Sequence, residues 1–289
     1  MGPSTFLVLP EKGARLLNWH INMGDGSVRD VIYWPESIGN QEWGGLDGGI
    51  PILFPFCGYC FHQGERGMWQ AQDGTVLRMP QHGFAKDSSF RIRSIDHAGF
   101  EVEMIKDDTF QEFYPYDYTF TVIYHFLELS LQISLVLENE GRTPIPWSAG
   151  LHPYFQVPWR KDLGLENHLL NTGAKKSFQY LEDGELKENA LSNYPIPLAE
   201  ENLINRIHYP LDRSDAEISL LNGEETLRIN EVSWHGKGSR LAYVSWTKHG
   251  SPFFCLEPWM SPPNATGNKT VQYVSPGGRD EFTIEIELV

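Results

Sequence analysis

Apolar residues recur at every second position over long stretches of this chain, and this periodicity constrains the fold more than any other feature. Apolar and polar residues alternate over residues 118–126 and again over residues 129–137. Successive side chains of a β-strand point to opposite faces, whereas a helical face repeats about every 3.6 residues. The pattern therefore predicts two long neighbouring strands, the second ending at the turn Asn139-Glu140-Gly141.

Further along the chain the same pattern predicts more strands. Residues 217–221 and 225–229 flank Asn222-Gly223, which favours a tight hairpin because both residues tolerate a positive φ. Three more strands are predicted over residues 241–246, 252–257 and 282–288.

Glycine and proline interrupt these segments along the whole chain, which has 27 glycines and 19 prolines and no convincing amphipathic helix longer than a turn or two. Linkers and internal repeats are also absent. We therefore predict one all-β domain over residues 1–289, built as a large antiparallel β-sandwich. Residues 158–197 are less regular and richer in charge, and we expect them to form an excursion over the edge of the sandwich.

The charge balance narrows the possible partners. With a formal net charge of −15, the chain lacks the basic character that a nucleic acid or an anionic membrane surface requires. No run of 18 apolar residues is present, and the N-terminus lacks a basic segment followed by an apolar one. These features predict a soluble cytoplasmic protein that binds a small molecule; its oligomeric state stays open.

Cys57 and Cys60 have the C-x-x-C spacing of redox pairs and zinc sites. A redox pair normally opens a helix in a βαβ unit, and a zinc site needs a second pair of ligands, whereas only His62 lies nearby. We predict a structural role for both cysteines, and neither a metal nor an organic cofactor.

Three titratable residues stand in apolar surroundings. Glu257 lies in Phe253-Phe254-Cys255-Leu256-Glu257-Pro258-Trp259, so burial should raise its pKa toward the range of a general base at neutral pH. His82 and His152 could exchange the complementary proton. Each of the three could equally be a half-buried polar group with satisfied hydrogen bonds. Phe84, next to His82, could be a core residue or a platform for a sugar ring.

Taken in order, five segments resemble the aldose 1-epimerase (galactose mutarotase-like) superfamily, with the closer likeness to its glucose-6-phosphate 1-epimerase (hexose-6-phosphate mutarotase) branch. The segments are Gly48-Gly49-Ile50-Pro51 with Phe54-Pro55 and Gly58, Gln81-His82-Gly83-Phe84-Ala85, His152-Pro153-Tyr154-Phe155, Glu257-Pro258-Trp259, and Ser275-Pro276-Gly277-Gly278. The resemblance implies a β-supersandwich with a sugar cleft on one sheet. It also implies that His152 is the catalytic acid, Glu257 the catalytic base and His82 a sugar-holding histidine. We add Phe84 and Trp259 as candidate sugar-binding residues.

Two departures from the family pattern concern the substrate. Asn205 stands where the family usually has an aspartate that contacts sugar hydroxyls; it can still form hydrogen bonds but carries no charge. Asp47 and Lys86 stand where the phosphosugar branch usually has arginines. Arg66 and Arg78, in the intervening loop, could compensate. We expect a neutral hexose to be used at least as well as its 6-phosphate.

Three functions are compatible with these residues. The leading hypothesis is an aldose 1-epimerase that interconverts the anomers of a hexose or hexose phosphate. A non-catalytic sugar-binding or sugar-sensing protein on the same scaffold is the alternative. A glycoside hydrolase ranks last, because it needs two carboxylates flanking the scissile bond and only Glu257 is evident.

Overall fold

The fold comes from a computed structural model, which describes residues 2–189, 194–233 and 240–289. Antiparallel strands form nearly all of its regular structure. In chain order the strands are β1 Ser4–Leu9, β2 Arg15–Asn22, β3 Val28–Asp30, β4 Ile52–Leu53, β5 Phe61–His62, β6 Glu65–Arg66, β7 Met68–Gln70, β8 Val76–Arg78, β9 Phe90–Ile95, β10 Gly99–Met104, β11 Tyr118–Phe126, β12 Ser130–Asn139, β13 Ile145–Trp147, β14 Gly150–Leu151, β15 Tyr154–Gln156, β16 His168–Ala174, β17 Ser177–Tyr180, β18 Leu186–Asn189, β19 Ile196–Pro197, β20 Arg206–His208, β21 Leu211–Leu220, β22 Thr226–Glu231, β23 Ala242–Trp246, β24 Phe253–Trp259, β25 Gln272–Val274 and β26 Arg279–Leu288.

Helices are short in the described part of the chain. The α-helix α1 spans Asp108–Gln111, and its N-terminus is capped by the side chain of Asp107, which accepts a hydrogen bond from the backbone N–H of Thr109. The 3-10 turns are Trp43–Gly45, Ala85–Asp87, Leu165–Asn167 and Glu201–Leu203.

Two large sheets make up the sandwich. One has nine strands in the order β19-β16-β21-β22-β26-β12-β11-β10-β9, and the other has eight, in the order β18-β17-β20-β23-β24-β14-β4 with β15 also paired to β24. Smaller sheets pair β1-β2-β3, β13-β25, β5-β6 and β7-β8. The fold is therefore a β-sandwich of antiparallel sheets, and the prediction of an all-β class is confirmed.

The strands predicted from the alternation are confirmed. β11 and β12 form the long hairpin, with Tyr118 opposite Asn139 and Phe126 opposite Leu131. β21 and β22 pair around the Asn222-Gly223 turn, where Gly223 has a φ of +73°. β23, β24 and β26 cover the three later predictions.

The expectation for residues 158–197 needs correction, because this segment builds both sheets and does not merely cross their edge. β16 lies inside the nine-stranded sheet, between β19 and β21. β17 and β18 extend the eight-stranded sheet beyond β20. Apolar alternation is weak in β18 because Lys187 and Glu188 are exposed on an edge strand. It is weak in β16 because the sequence HLLNTGA places two leucines side by side, followed by polar and small residues.

The core lies between the two large sheets. Ile133 and Leu135 of β12 pair with Ile284 and Phe282 of β26, and all four side chains are fully buried. Intervening residues of the same strands point outward, as Ser134 and Thr283 do. This alternation places one apolar face of each sheet in the core.

The opposite face of the eight-stranded sheet is also covered. All seven residues of β24 are buried. Phe254 and Leu256 pack in the core between the sheets. Cys255, Glu257 and Trp259 lie on the other face of the sheet, where loops cover them. This second, enclosed face holds the cleft described below. Among the described residues, no helix has the length and apolar composition needed to span a bilayer.

Candidate active site

A cleft of about 710 Å³ opens over the eight-stranded sheet. This volume lies within the range of about 300–1,000 Å³ that is typical of small-molecule sites. Its lining includes Leu53, Ile207, Val244 and Glu257 from the sheet, with loop residues around them. The cleft therefore has the size of a small-molecule site, with one carboxyl group among apolar strand residues.

Glu257 lies near the middle of β24, opposite Val244 of β23, and its side chain is 2% exposed. Its Oε2 accepts a hydrogen bond from the indole N–H of Trp259 at 3.1 Å. Burial raises the pKa of Glu257 well above its usual value, and the indole hydrogen bond only partly opposes that increase. Burial therefore favours the protonated form of the carboxyl group.

His152 lies between β14 and β15, and its backbone N–H donates to the carbonyl of Pro51 at 3.1 Å. Its Nε2 is 3.3 Å from Oε1 of Glu257. Burial lowers the pKa of His152 well below its usual value, and the nearby His82 lowers it further. The structure thus brings His152 and Glu257 into direct contact.

The two opposite pKa shifts have one consequence for the pair. In water a glutamate and a histidine favour the ionised form, carboxylate and imidazolium. Burial penalises both charges, so the neutral form, carboxylic acid and imidazole, becomes competitive. The two forms hold the same number of protons, so one proton can change position within the pair without any net charge entering the cleft.

His82 lies on the opposite wall, with its ring centroid 5.5 Å from that of His152 and 5.6 Å from that of Trp259. Its Nδ1 accepts from the backbone N–H of Gly58 at 3.2 Å, so the remaining proton lies on Nε2. Burial lowers the pKa of His82 to about 3. His82 is thus a neutral hydrogen-bond donor.

The backbone around His82 requires a glycine. Gly83 has a φ of +69°, and a Cβ there would lie 1.9 Å from the carbonyl oxygen of Phe54, which accepts from the N–H of Phe84. His82 itself has a φ of +63°. This close approach to Phe54 holds the Gln81-His82 loop at the mouth of β4.

Charged side chains surround the cleft in pairs. Asp47 forms an ion pair with Lys248 and accepts a hydrogen bond from the hydroxyl of Tyr154 at 3.3 Å. Lys86 is paired with Asp87 at 2.6 Å. These contacts pair two of the cleft's cations with aspartates.

Four more of the predicted binding residues line the cleft: Asn205, Lys86, Arg66 and Trp259. Asn205 has a φ of +54° directly before β20. The guanidinium of Arg66 lies 4.1 Å from the ring centroid of Tyr59, in cation–π geometry.

Two of the predicted binding residues, Phe84 and Arg78, do not line the cleft. Phe84 is 1% exposed and stacks on Phe110 in the core at 4.7 Å, so the core alternative is the correct one. The backbone N–H of Phe84 donates a hydrogen bond to the carbonyl oxygen of Phe54, and this backbone position directs the ring into the core. Arg78 is exposed at the end of β8 and does not line the cleft, because the short β7-β8 hairpin carries it away.

Three further residues of the site escaped sequence analysis. Trp246 and Lys248 line the cleft at the end of β23, and the Lys248 ammonium lies 5.5 Å from the Trp246 ring centroid. Arg15 is fully buried and donates to the carbonyl oxygens of Trp43 at 3.0 Å and Leu46 at 2.6 Å. The sequence placed Trp246 at the end of the strand predicted over residues 241–246, but it gave no indication that Arg15 belongs to the site.

Cys57 and Cys60 are free and buried, and burial raises the pKa of the Cys60 thiol to about 12. The pKa of Cys57 is also raised well above its usual value, mainly by burial and then by nearby Glu257. Both thiols are therefore protonated and unreactive at neutral pH. Within the described residues, no group of three or more His, Cys, Asp or Glu side chains is arranged to hold a metal ion.

Solved structures share this fold. The Slr1438 protein of Synechocystis sp. superposes with a TM-score of 0.80 at 21% identity, covering 99% of this chain and 92% of that chain. A galactose mutarotase-like protein from Clostridium acetobutylicum gives 0.78 at 16% identity, with 100% and 93% covered. For a galactose mutarotase related enzyme from Lactobacillus acidophilus the values are 0.76 and 15%, with 99% and 97% covered. At these identities the likeness establishes the fold alone.

No curated protein matches the chain significantly. The family model for aldose 1-epimerase, however, matches residues 5–286, which extends from β1 into β26 and includes every residue of the cleft. The protein belongs to the aldose 1-epimerase family.

Proposed function

We propose that the protein interconverts the α and β anomers of an aldohexose by general acid–base opening of the sugar ring. The observation that carries this proposal is the 3.3 Å contact between His152 Nε2 and Glu257 Oε1, two buried groups with opposite pKa shifts on one wall of the cleft. Such a pair provides one proton acceptor and one proton donor at the same reacting centre.

The reaction uses the two forms of the pair in turn. With the pair ionised, the Glu257 carboxylate takes the proton of the C1 hydroxyl while the His152 imidazolium gives its proton to the ring oxygen, and the C1–O5 bond breaks. The open aldehyde rotates about C1–C2. Glu257 then returns its proton to the carbonyl oxygen as the O5 hydroxyl, losing its proton to His152, attacks C1. The chain's own residues suffice for every proton transfer.

Other cleft residues bind the sugar in this proposal. His82 donates from Nε2 to a sugar oxygen near C1, and Trp259 offers its ring while its N–H holds Glu257. Asn205 can contact hydroxyls at the far side of the ring. Arg66 and Lys86 supply further donors at the rim.

The balance of charge favours a neutral hexose over its 6-phosphate. Five carboxylates line the cleft (Glu42, Asp47, Asp87, Glu182 and Glu257) against three cations (Arg66, Lys86 and Lys248). Two of these cations are already paired with aspartates. A phosphate usually requires arginine forks or clustered backbone N–H groups. Because contacts in the cleft set substrate choice, we give this excess of carboxylates more weight than the likeness of Gly48-Gly49-Ile50-Pro51 to the phosphosugar branch.

Anomer-exchange NMR tests the proposal directly. Saturation transfer between the α and β signals of glucose, galactose and their 6-phosphates should show enzyme-dependent exchange, with the neutral sugars exchanged at least as fast. Binding of these sugars without any acceleration would instead identify a sugar-binding protein. Much faster exchange of glucose 6-phosphate would contradict the charge argument and assign Arg66 and Lys86 to the phosphate.

A further inference from the structure

The imidazole of His152 lacks the usual device that orients an acid–base histidine. In such sites the ring nitrogen away from the reacting atoms commonly bonds to a carboxylate or a carbonyl. Here Nδ1 of His152 is buried and has no hydrogen-bond partner among the described residues. Apart from the contact between Nε2 and Glu257, the ring must therefore be held by the side chains packed around it.

Tyr154 supplies most of that packing. Its ring stacks on the imidazole with the centroids 4.7 Å apart and the planes 13° from parallel. Trp246 contacts the edge of the imidazole, with the centroids 5.7 Å apart and the planes at 81°. A stacked ring restricts rotation of the imidazole about χ2, so the position of Nε2 depends on where Tyr154 lies.

Asp47 fixes Tyr154 in turn. The Tyr154 hydroxyl donates to Oδ1 of Asp47 at 3.3 Å, and burial raises the pKa of Tyr154, so the hydroxyl stays a donor. Lys248 holds the other carboxylate oxygen. The loop that carries Asp47 is anchored from beneath by Arg15, whose guanidinium donates to the carbonyl oxygens of Trp43, Leu46 and Gly48.

We propose that Tyr154 is a positioning residue that aligns His152 for proton transfer, and that Asp47, held by Lys248 and the Arg15-anchored loop, acts on catalysis through the Tyr154 hydroxyl. The proposal rests on the proposed function and gives Asp47 a role different from contact with substrate. A carboxylate with one oxygen on Lys248 and the other on Tyr154 has its strongest acceptor sites occupied.

Two substitutions at position 154 separate the stack from the tether. Tyr154→Leu removes the ring and should lower kcat about 10²-fold, the loss typical of a misplacement of about 1 Å, with a much smaller change in KM. Tyr154→Phe keeps the stack but releases Asp47, and should lower kcat about tenfold. Asp212→Asn, which breaks the exposed ion pair with Lys175, is the matched control and should change neither constant.

A double-mutant cycle tests the route from Asp47. Asp47→Ala alone should resemble Tyr154→Phe, and adding it to Tyr154→Phe should lower kcat less than twofold further, because both changes remove one contact. If Asp47→Ala lowers kcat as much in the Tyr154→Phe variant as in the wild type, Asp47 acts directly on the sugar and the proposal is wrong.

Imidazole NMR of His152 gives a readout that does not require turnover. In the wild type the ring should show a single set of ¹⁵N signals with restricted motion. Tyr154→Leu should broaden or split these signals, and Asp212→Asn should not. If the wild type exchanges no sugar, the proposed function fails but ring order still tests the positioning role. Unchanged His152 signals and an unchanged kcat in Tyr154→Leu would refute it.

Discussion

Polar side chains are hydrated on the outer face of one large sheet and buried on the outer face of the other. On the outer face of the nine-stranded sheet, Arg228 bridges Glu217 and Glu287 at 3.0 Å each, and all three groups are partly hydrated. On the outer face of the eight-stranded sheet, loops cover the strands, and Glu257 is buried next to His152. The same period-two alternation thus yields exposed ion pairs on one sheet and a desolvated acid–base pair on the other.

The difference teaches that covering a sheet face changes the chemistry of its polar residues. An exposed ion pair is screened by water and contributes about 0.2–1 kcal/mol. A buried carboxyl group has its pKa raised because water no longer stabilises the charge. Residues of one type can therefore be structural on the nine-stranded sheet and reactive on the eight-stranded sheet, and paired substitutions on the two sheets can test this.

The largest expected effect is on catalysis by the buried carboxyl. Glu257→Gln keeps the side-chain shape but removes the proton acceptor, so anomer exchange should fall by about 10²–10⁴-fold while sugar affinity survives. Glu217→Gln, on the nine-stranded sheet, should leave exchange unchanged. Exchange is measured by NMR and affinity by calorimetry. Near-normal exchange in Glu257→Gln would remove the catalytic assignment.

The second expected effect concerns the two histidines of the cleft. His152→Asn should lower exchange to an extent comparable with Glu257→Gln, because it removes the proton donor. His82→Asn should raise KM more than it lowers kcat, since His82 is a neutral donor with a pKa of about 3 and transfers no proton near neutral pH. Saturation kinetics by exchange NMR distinguish the two. A larger kcat loss in His82→Asn would exchange their roles.

The third effect is on stability and depends on pH. Because the pKa of Glu257 is higher in the folded than in the unfolded chain, the folded protein keeps a proton that the unfolded chain releases above pH 4.5. Wild-type stability relative to Glu257→Gln should therefore fall as pH rises, by up to about 1.4 kcal/mol per pH unit.

Urea denaturation between pH 5 and pH 8 checks this trend. Glu217→Gln is the control, and it should be destabilising because it removes an exposed ion pair. A stability difference between the wild type and Glu257→Gln that does not change between pH 5 and pH 8 would show that the carboxyl is better solvated than its burial indicates.

The smallest effect concerns substrate charge. Asp47→Asn keeps an oxygen for the Tyr154 hydroxyl but releases the Lys248 ammonium, so the rate ratio of glucose 6-phosphate to glucose should rise by about 1.5- to 5-fold at low salt. The rise should shrink at high salt because of screening. Competitive exchange with both sugars measures the ratio, with Asp212→Asn as control. A fall in the ratio would contradict the charge argument.

The sequence by itself determined the fold class and seven of the longer strands, which are β11, β12, β21, β22, β23, β24 and β26. Alternation is a local property that survives in any half-buried strand, so β11, β12, β22 and β24 were all predictable. The apolar neighbours of His82, His152 and Glu257 predicted their burial, and the resemblance to the aldose 1-epimerase superfamily implied that they share one site. The edge strand β18 was missed because its exposed polar residues carry little periodic signal. The interior strand β16 was missed because its sequence HLLNTGA does not alternate.

Only the tertiary structure decided which side chains share the cleft. Lys248 reaches Asp47 from 201 positions away, and Arg15 anchors a loop about 30 residues later in the chain. Phe84 turns into the core because its backbone bonds to Phe54, although its neighbour His82 lines the cleft. The alternation of apolar residues shows which face of its own strand a residue occupies. The desolvation and ion pairing of its side chain depend on which distant loops cover that face.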